Sequence, residues 1–416
     1  MTQVAIIGGG IGGLTLALEL HVAGIDCKVF EAVERLGTVG VGINVLPHAT
    51  RTLSRLGLRD ELASVAVTTR EHVFYNRFGQ HIYSEPAGRY AGYEWPQFSV
   101  HRGDLQEVLR RAVRARLGEH AVVTGHRCVS FEESNGAVTV RFALPDGGRT
   151  SHRADGVVGC DGVHSAVRRQ LHPDEGDPVY SGVNMWRGVT VWPPLLTGAS
   201  MVRAGWLTTG KLVAYPIRDR VDDRGRQLLN WVFEIETPRH ADRDWNRAGR
   251  IEDFLPAIAD WRFDWLDAPE MITAADLVLE YPMVDQDPLP WWGAGRVTLL
   301  GDAAHPMVPR GSNGAGQAIL DATALATALR THTDVATAFA VYERERRPAT
   351  AAVVHANRAN PPDAILREVY ERTRDRPFRR IEDVITVAEL EDITNGYKRT
   401  AGYSLDALRN SATEKD

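Results

Sequence analysis

The sequence predicts an α/β fold: a parallel-sheet domain into which a second, aromatic-rich sheet is inserted, followed by a helical tail. Three observations predict it. Val4-Ala-Ile-Ile7 is a short β-branched run, followed at once by Gly8-x-Gly10-x-x-Gly13 and an apolar helix from Leu14 to Leu20. A second apolar strand end, Arg296-Val-Thr-Leu-Leu300, carries Gly301-Asp-Ala-Ala-His-Pro306 far down the chain. Between them, from about Pro178 to Pro282, most of the tryptophans gather in strand-like runs or at their edge.

The opening turn has the residues that a dinucleotide needs. Gly8 allows a tight turn, Gly10 lets backbone approach a pyrophosphate, and Gly13 lets helix and strand pack closely. The helix start then offers unpaired N–H groups to phosphates. A second strand, Cys27-Lys-Val-Phe30, ends in Glu31, whose carboxylate suits a ribose.

Further along, Gly37 to Asn44 form a glycine-dense loop that includes Gly42, and Pro47 starts a helix to about Leu56. Glu71 to Ser84 read as a hairpin around Arg77-Phe-Gly79. Asp104-Leu-Gln-Glu107 resembles a capping box, opening a helix that Gly118 closes. Strands near Val122, Val138 to Phe142 and Gly156 to Cys160 lead back to the first sheet.

The inserted sheet is expected from Asn184 to Val189, Leu212 to Tyr215 and Leu228 to Phe233, with a helix from about Ile251 to Trp261. Helices Gln317 to Leu329 and Asp334 to Arg346 follow, and the charged segment Pro361 to Arg409 reads as helical. The expected division is therefore 1–70, 97–177 and 283–350 for the nucleotide domain, 71–96 and 178–282 for the inserted sheet, and 351–416 for the tail.

Composition narrows the function. A net charge of −6 gives no electrostatic footprint for nucleic acid. Cys27, Cys128 and Cys160 are scattered, which argues against a disulfide scaffold, a zinc knuckle or a thiol redox pair, and no metal site is expected. No apolar run is long enough to span a membrane, and the chain opens directly on a core strand. A cytoplasmic enzyme without membrane or nucleic-acid partners is expected; the oligomeric state is not legible.

Two distant strand ends serving one ligand suit an elongated cofactor, FAD rather than NAD. Only one Gly-x-Gly-x-x-Gly is present, so no separate nicotinamide domain is expected. A middle motif, Asp161-Gly-x-x-Ser165-x-x-Arg168, follows the strand ending at Cys160. By itself it reads equally as a capped strand–turn–helix junction.

In this order the three motifs resemble the single-component, class A FAD-dependent aromatic hydroxylases, the p-hydroxybenzoate and salicylate hydroxylase family, over roughly residues 1–350. Stretches such as Gly40-Val-Gly-Ile-Asn44, Met185-Trp-Arg-Gly-Val189, Asp244-Trp-Asn-Arg247 and Gly311-Ser-Asn-Gly-Ala-Gly-Gln317 are similar to its phenazine-carboxylate hydroxylases. That resemblance implies a Rossmann-like FAD-binding domain and an enzyme that uses NAD(P)H and O₂ to hydroxylate an aromatic or heteroaromatic ring. The reaction would pass through a flavin C4a-hydroperoxide, with or without loss of a carboxylate. It implies that Glu31 binds the adenosine ribose, that Arg102 lies against FAD, that Asp161 shapes its site, and that Asp302 holds the ribityl chain. Gly8, Gly10, Gly13, Gly42 and Gly314 complete the expected cofactor contacts.

The turn containing Gly311, Asn313 and Gly314 is expected to aim helix N–H groups at the flavin pyrimidine edge. No general base stands out; His305 is a weaker candidate. Arg187, Tyr215, Trp231 and Pro306 are the candidate substrate-pocket residues, although strand alternation leaves their facing open. Hydroxylation of a simple phenol, salicylate or indole is the near alternative. A non-catalytic FAD-fold escort protein is the alternative from another class.

Overall fold

The computed structural model describes residues 2–35, 40–238, 247–359 and 361–413. Gly37–Val39 of the glycine-dense loop, and Asp244–Asn246 of the Asp244–Arg247 stretch, lie outside the described residues. A five-stranded parallel sheet runs in the order Val297–Leu299, Gly156–Gly159, Gln3–Ile7, Asp26–Phe30, Val122–Val123. Strands Val297–Leu299, Gly156–Gly159 and Gln3–Ile7 are largely apolar and buried, packed between helix Ile11–Val22 and the antiparallel strands Ala137–Ala143 and Arg149–Ala154. This order brings the ends of Gln3–Ile7, Gly156–Gly159 and Val297–Leu299 side by side, and with them the three motifs.

An eight-stranded sheet carries the aromatic-rich middle of the chain, with Val179–Trp192, Gln227–Glu236 and Gly210–Arg218 at its centre. Glu71–Tyr75 and His81–Pro86 join this sheet as its far edge, and Glu71–Tyr75 pairs in parallel with Ser200–Trp206. Side chains alternate across the sheet. One face buries Trp186, Ala204, Leu212, Trp231 and Phe233 against Phe254, Ile258 and Trp261. The opposite face presents Met185, Met201, Val213, Tyr215 and Val232.

Several elements differ from the sequence reading. The helix expected from Asp104 begins at Arg102, with no side-chain cap on its first turn. Asp104 instead accepts from Arg218 at 2.5 Å, and Glu107 pairs with Arg110, so neither acid is left to close a capping box. The helix expected over 251–261 is a 3₁₀ turn, Ile251–Asp253, and one short α turn, Leu255–Ile258. Strands Arg127–Ser134, Ala137–Ala143 and Arg149–Ala154 form a separate antiparallel sheet. The boundary expected at 350 falls inside one continuous helix, Val335–Ala359, which carries Pro348 in its interior. The tail is helical, with Val387–Thr400 opened by a true capping box between Thr386 and Glu389.

Helix Pro47–Arg55 packs on helix Gly314–Thr331. His48 on the first of these helices is buried, stacks on Tyr403 and bonds through Nε2 to Asn313 Oδ1 at 2.9 Å. Burial pushes its imidazole down to about 4, despite that bond. The unfolded chain takes up this proton near pH 6.5, whereas the folded chain resists it until about pH 4. Stability from this group is complete above that upper value and declines as the pH falls through the interval. Acidification from pH 6.5 to 5 should therefore cost roughly 2 kcal/mol through His48 alone. Urea unfolding of wild type and His48→Gln across this range checks it: an equally steep decline in the variant would show that His48 does not carry the loss.

Candidate active site

The glycine fingerprint forms as its spacing demands. Gly8 sits at φ +111, where a Cβ would lie 2.3 Å from the Cys160 carbonyl oxygen. A Cβ on Gly13 would lie 2.1 Å from the Gly8 oxygen, so helix and strand meet there only through glycine. Gly10 faces open space and is the N-cap of helix Ile11–Val22, which has no side-chain cap. The first N–H groups of that helix are therefore left for a ligand.

A cavity of about 920 Å³ runs from this turn to the eight-stranded sheet. Of the residues singled out from sequence, Gly10, Gly42, Arg102, Asp161, Asp302, Asn313 and Gly314 line it, with Arg187, Tyr215 and Pro306. Gly8 and Gly13 shape the turn from behind. Glu31 stands beside the turn, outside the cavity wall, accepting from Gly9 N at 2.7 Å and Val33 N at 3.0 Å.

The later motifs are tied to one another. Asp161 accepts from Ser165 Oγ and from Ala166 N at 2.7 Å, so it also caps the helix Ala166–Leu171. Burial pushes its carboxyl above the usual value against these donors. Arg168 reaches across to the carbonyls of Ala303 at 2.9 Å and Ala304 at 3.0 Å, while Glu175 neutralises its guanidinium. Thus the arginine of the middle motif positions the Gly301–Pro306 segment.

Three expectations need correction. Trp231 does not line the cavity. It is fully buried on the other face, donating to Thr190 Oγ1 at 3.0 Å, because it pairs with Ala214 while its neighbour Val232 faces the cavity. His305 is buried behind the wall, its Nε2 2.6 Å from Asp321 Oδ2 and its ring beside Trp292. Asp321 also accepts from Arg346 at 2.7 Å, and although burial opposes it, these two partners hold its carboxyl below the usual range. His305 therefore braces the segment and does not line the cavity.

Gly311 is likewise absent from this cavity's wall. A Cβ there would fall 1.5 Å from the Tyr397 hydroxyl, so its bareness serves the packing of the tail. The helix itself starts at Gly314, with Asn313 as an N-cap whose side chain does not cap; its Oδ1 is engaged by His48.

Arg187 and Tyr215 grip the same backbone atom. Arg187 Nη2 donates to the Gly42 carbonyl at 3.0 Å and Tyr215 Oη at 2.9 Å, while Gly42 N donates to Asn230 at 2.7 Å. A Cβ on Gly42 would lie 2.6 Å from Asn230 Cβ. The Gly42 end of the glycine-dense loop is thereby clamped. Burial lowers the Arg187 pKa and pushes the Tyr215 hydroxyl up to about 12, so Tyr215 stays a neutral donor near pH 7.

Four buried charges on the cavity wall escaped the sequence reading: Arg203, Lys211, Glu234 and Asp363. Lys211 Nζ pairs with Glu234 at 2.6 Å and with Asp363. A lysine inside Gly210–Arg218 and a glutamate inside Gln227–Glu236, both otherwise largely apolar strands, were signals for two of them.

Comparison with known proteins agrees with this geometry. The FAD binding domain family model matches residues 1–194 and 284–357. The chain is 42% identical to phenazine 1,6-dicarboxylic acid hydroxylase of Lysobacter antibioticus, covering 95% of this chain and 96% of that protein. It is 34% identical to a 3-amino-4-hydroxybenzoate 2-monooxygenase of Streptomyces platensis, over 90% of this chain and 87% of the relative. Among solved structures, HpxO of Klebsiella pneumoniae complexed with FAD and uric acid shares the fold, with a TM-score of 0.71 at 24% identity, covering 99% of this chain and 96% of that one. The glycine turn, the cavity and these matches together place the chain in the FAD binding domain family, as an FAD-dependent aromatic monooxygenase.

Proposed function

We propose that the chain uses NAD(P)H and O₂ to hydroxylate a flat, carboxylated heteroaromatic ring of phenazine-carboxylate type, with or without loss of the carboxylate. The observation that carries this reading is the cavity's charge. Arg187, Arg203 and Arg310 all line it, and among the described residues no carboxylate stands within ion-pair distance of any of them. Guanidinium groups in such a wall suit planar, bidentate binding of a carboxylate. The names of relatives support it: a phenazine dicarboxylic acid, an aminohydroxybenzoate and, at 30% identity in Pseudomonas fluorescens, 6-hydroxynicotinate.

The residues present fit FAD. Two uncapped helix starts, at Ile11 and at Gly314, open on one cavity, with the Asp302 carboxylate on the same wall. Gly10 and the first N–H groups of the Ile11 helix would hold the pyrophosphate, Glu31 the adenosine ribose and Asp302 the ribityl hydroxyls. Arg102 and Asp161 would border the ring and the nicotinamide approach. The N–H groups after Asn313 and Gly314 would stabilise negative charge at the pyrimidine edge. Bound FAD supplies the electron transfer and oxygen activation. Met185, Val213, Val232 and Met283 line the cavity with apolar surface and so exclude water beside the ring. With a single glycine fingerprint, NAD(P)H is proposed to enter by the same cavity. The expected division of the chain stands as a proposal too, with the helix Val335–Ala359 bridging nucleotide domain and tail.

Two outcomes test this. Asp302→Ala should weaken FAD binding on the order of tenfold to a hundredfold, since a charge-assisted hydrogen bond contributes roughly 1.5–3 kcal/mol. Unchanged flavin occupancy in that variant would place the cofactor elsewhere. Holoprotein offered phenazine carboxylates, salicylates, phenols or indoles should oxidise NADH or NADPH fastest with the phenazine acids and take label from ¹⁸O₂ into product. Faster turnover of phenol or indole would replace the carboxylated ring by the simpler one, and a gain of oxygen with the carboxylate retained would remove decarboxylation.

A further inference from the structure

Asp363 is the N-cap residue of helix Ala364–Thr373, yet its side chain makes no capping bond. An aspartate at this position ordinarily accepts from the N–H groups one turn ahead. Here the carboxylate turns instead to the cavity wall, where Oδ2 meets Lys211 Nζ. Lys211 already pairs with Glu234 at 2.6 Å, so it does not require a second carboxylate for neutralisation. Asp363 is 1% exposed, and among the described residues its Oδ1 has no hydrogen-bond partner. A buried acceptor without a donor is costly and uncommon. Arg203 and Arg310 lie near enough to act on this carboxylate through charge, but neither bonds to it. Asp363 also lies beyond residue 357, where the family model's match ends.

We propose that Asp363 is a specificity-determining residue, whose carboxylate accepts a hydrogen bond from an amino, hydroxyl or ring N–H group of the aromatic acid bound in the cavity. This rests on the reading that an aromatic acid is the substrate. The cavity then recognises two features of one flat ring: the acid by guanidinium, and the donor by Asp363. Lys211 keeps this carboxylate below its usual range despite burial, so it remains a pure acceptor at neutral pH.

The test is ligand affinity of the FAD-loaded protein, read from perturbation of the flavin absorbance. Two matched pairs serve: phenazine-1-carboxylate with 6-hydroxyphenazine-1-carboxylate, and benzoate with 3-aminobenzoate. Wild type should favour the donor-bearing member of a pair by about tenfold. Asp363→Asn, which keeps the shape, and Asp363→Ser, which keeps an N-cap residue, should both abolish that preference. FAD content and affinity for the donor-free member should stay within about threefold. Equal weakening of both members would show that Asp363 only balances charge, and an unchanged preference would show that it does not meet the ligand; either overturns the proposal. Wild-type protein that responds to none of the four acids would overturn the aromatic-acid reading itself, and this proposal with it.

Discussion

The segment Gly301–Pro306 is held from both sides by buried charge, and the rest of the site depends on that grip. Arg168 takes the carbonyls of Ala303 and Ala304 from the side of the neighbouring strand. Asp321, fully buried, takes His305 and the Gly301 N–H from the helix side, with Arg346 behind it. A buried ion network stabilises only when its members are paired and hydrogen-bonded. Its reward here is position: Asp302 and Pro306 are left on the cavity wall, although the segment is only one 3₁₀ turn, Gly301–Ala303, followed by irregular chain. The motif residues that look catalytic in one dimension are divided between wall and brace in three.

The second determinant is the pleat of the large sheet. One face is spent on a dry aromatic core in which Trp186, Trp231 and Phe233 surround Phe254. Gly188 leaves room for the Trp231 ring, since a Cβ there would come within 2.5 Å of it. The other face can then afford polar residues among methionines and valines, because the sheet no longer relies on it for burial. A single sheet thus separates stability from recognition by residue parity.

How much of this was legible follows from the range of each signal. The fingerprint and the strand ends at Cys160 and Leu300 are local patterns with strict steric causes, and their gathering follows from the parallel order. Arg187 and Tyr215 could be singled out because they interrupt apolar strands, but parity decides facing, and Trp231 fell on the wrong side. Gly311 looked like part of the helix start because glycines cluster there; its reason is Tyr397, distant in sequence. Asp363 sits in a proline-rich turn where an aspartate normally caps a helix, so nothing local marks it for the cavity. Side chains fixed by neighbours remote in sequence were the unreadable part.

The contact between Gly311 and the tail also binds two positions into one unit of sequence change. The Tyr397 hydroxyl occupies the space of a Cβ at 311 and bonds Asn357 Oδ1 at 2.7 Å, while Asn357 Nδ2 bonds the Val308 carbonyl at 3.1 Å. A side chain can appear at 311 only if the ring at 397 shrinks or withdraws, and withdrawal would strip Asn357 Oδ1 of the Tyr397 hydroxyl. Among homologues the two positions should drift together, and a tail transplanted from a relative should require residue 311 to travel with it.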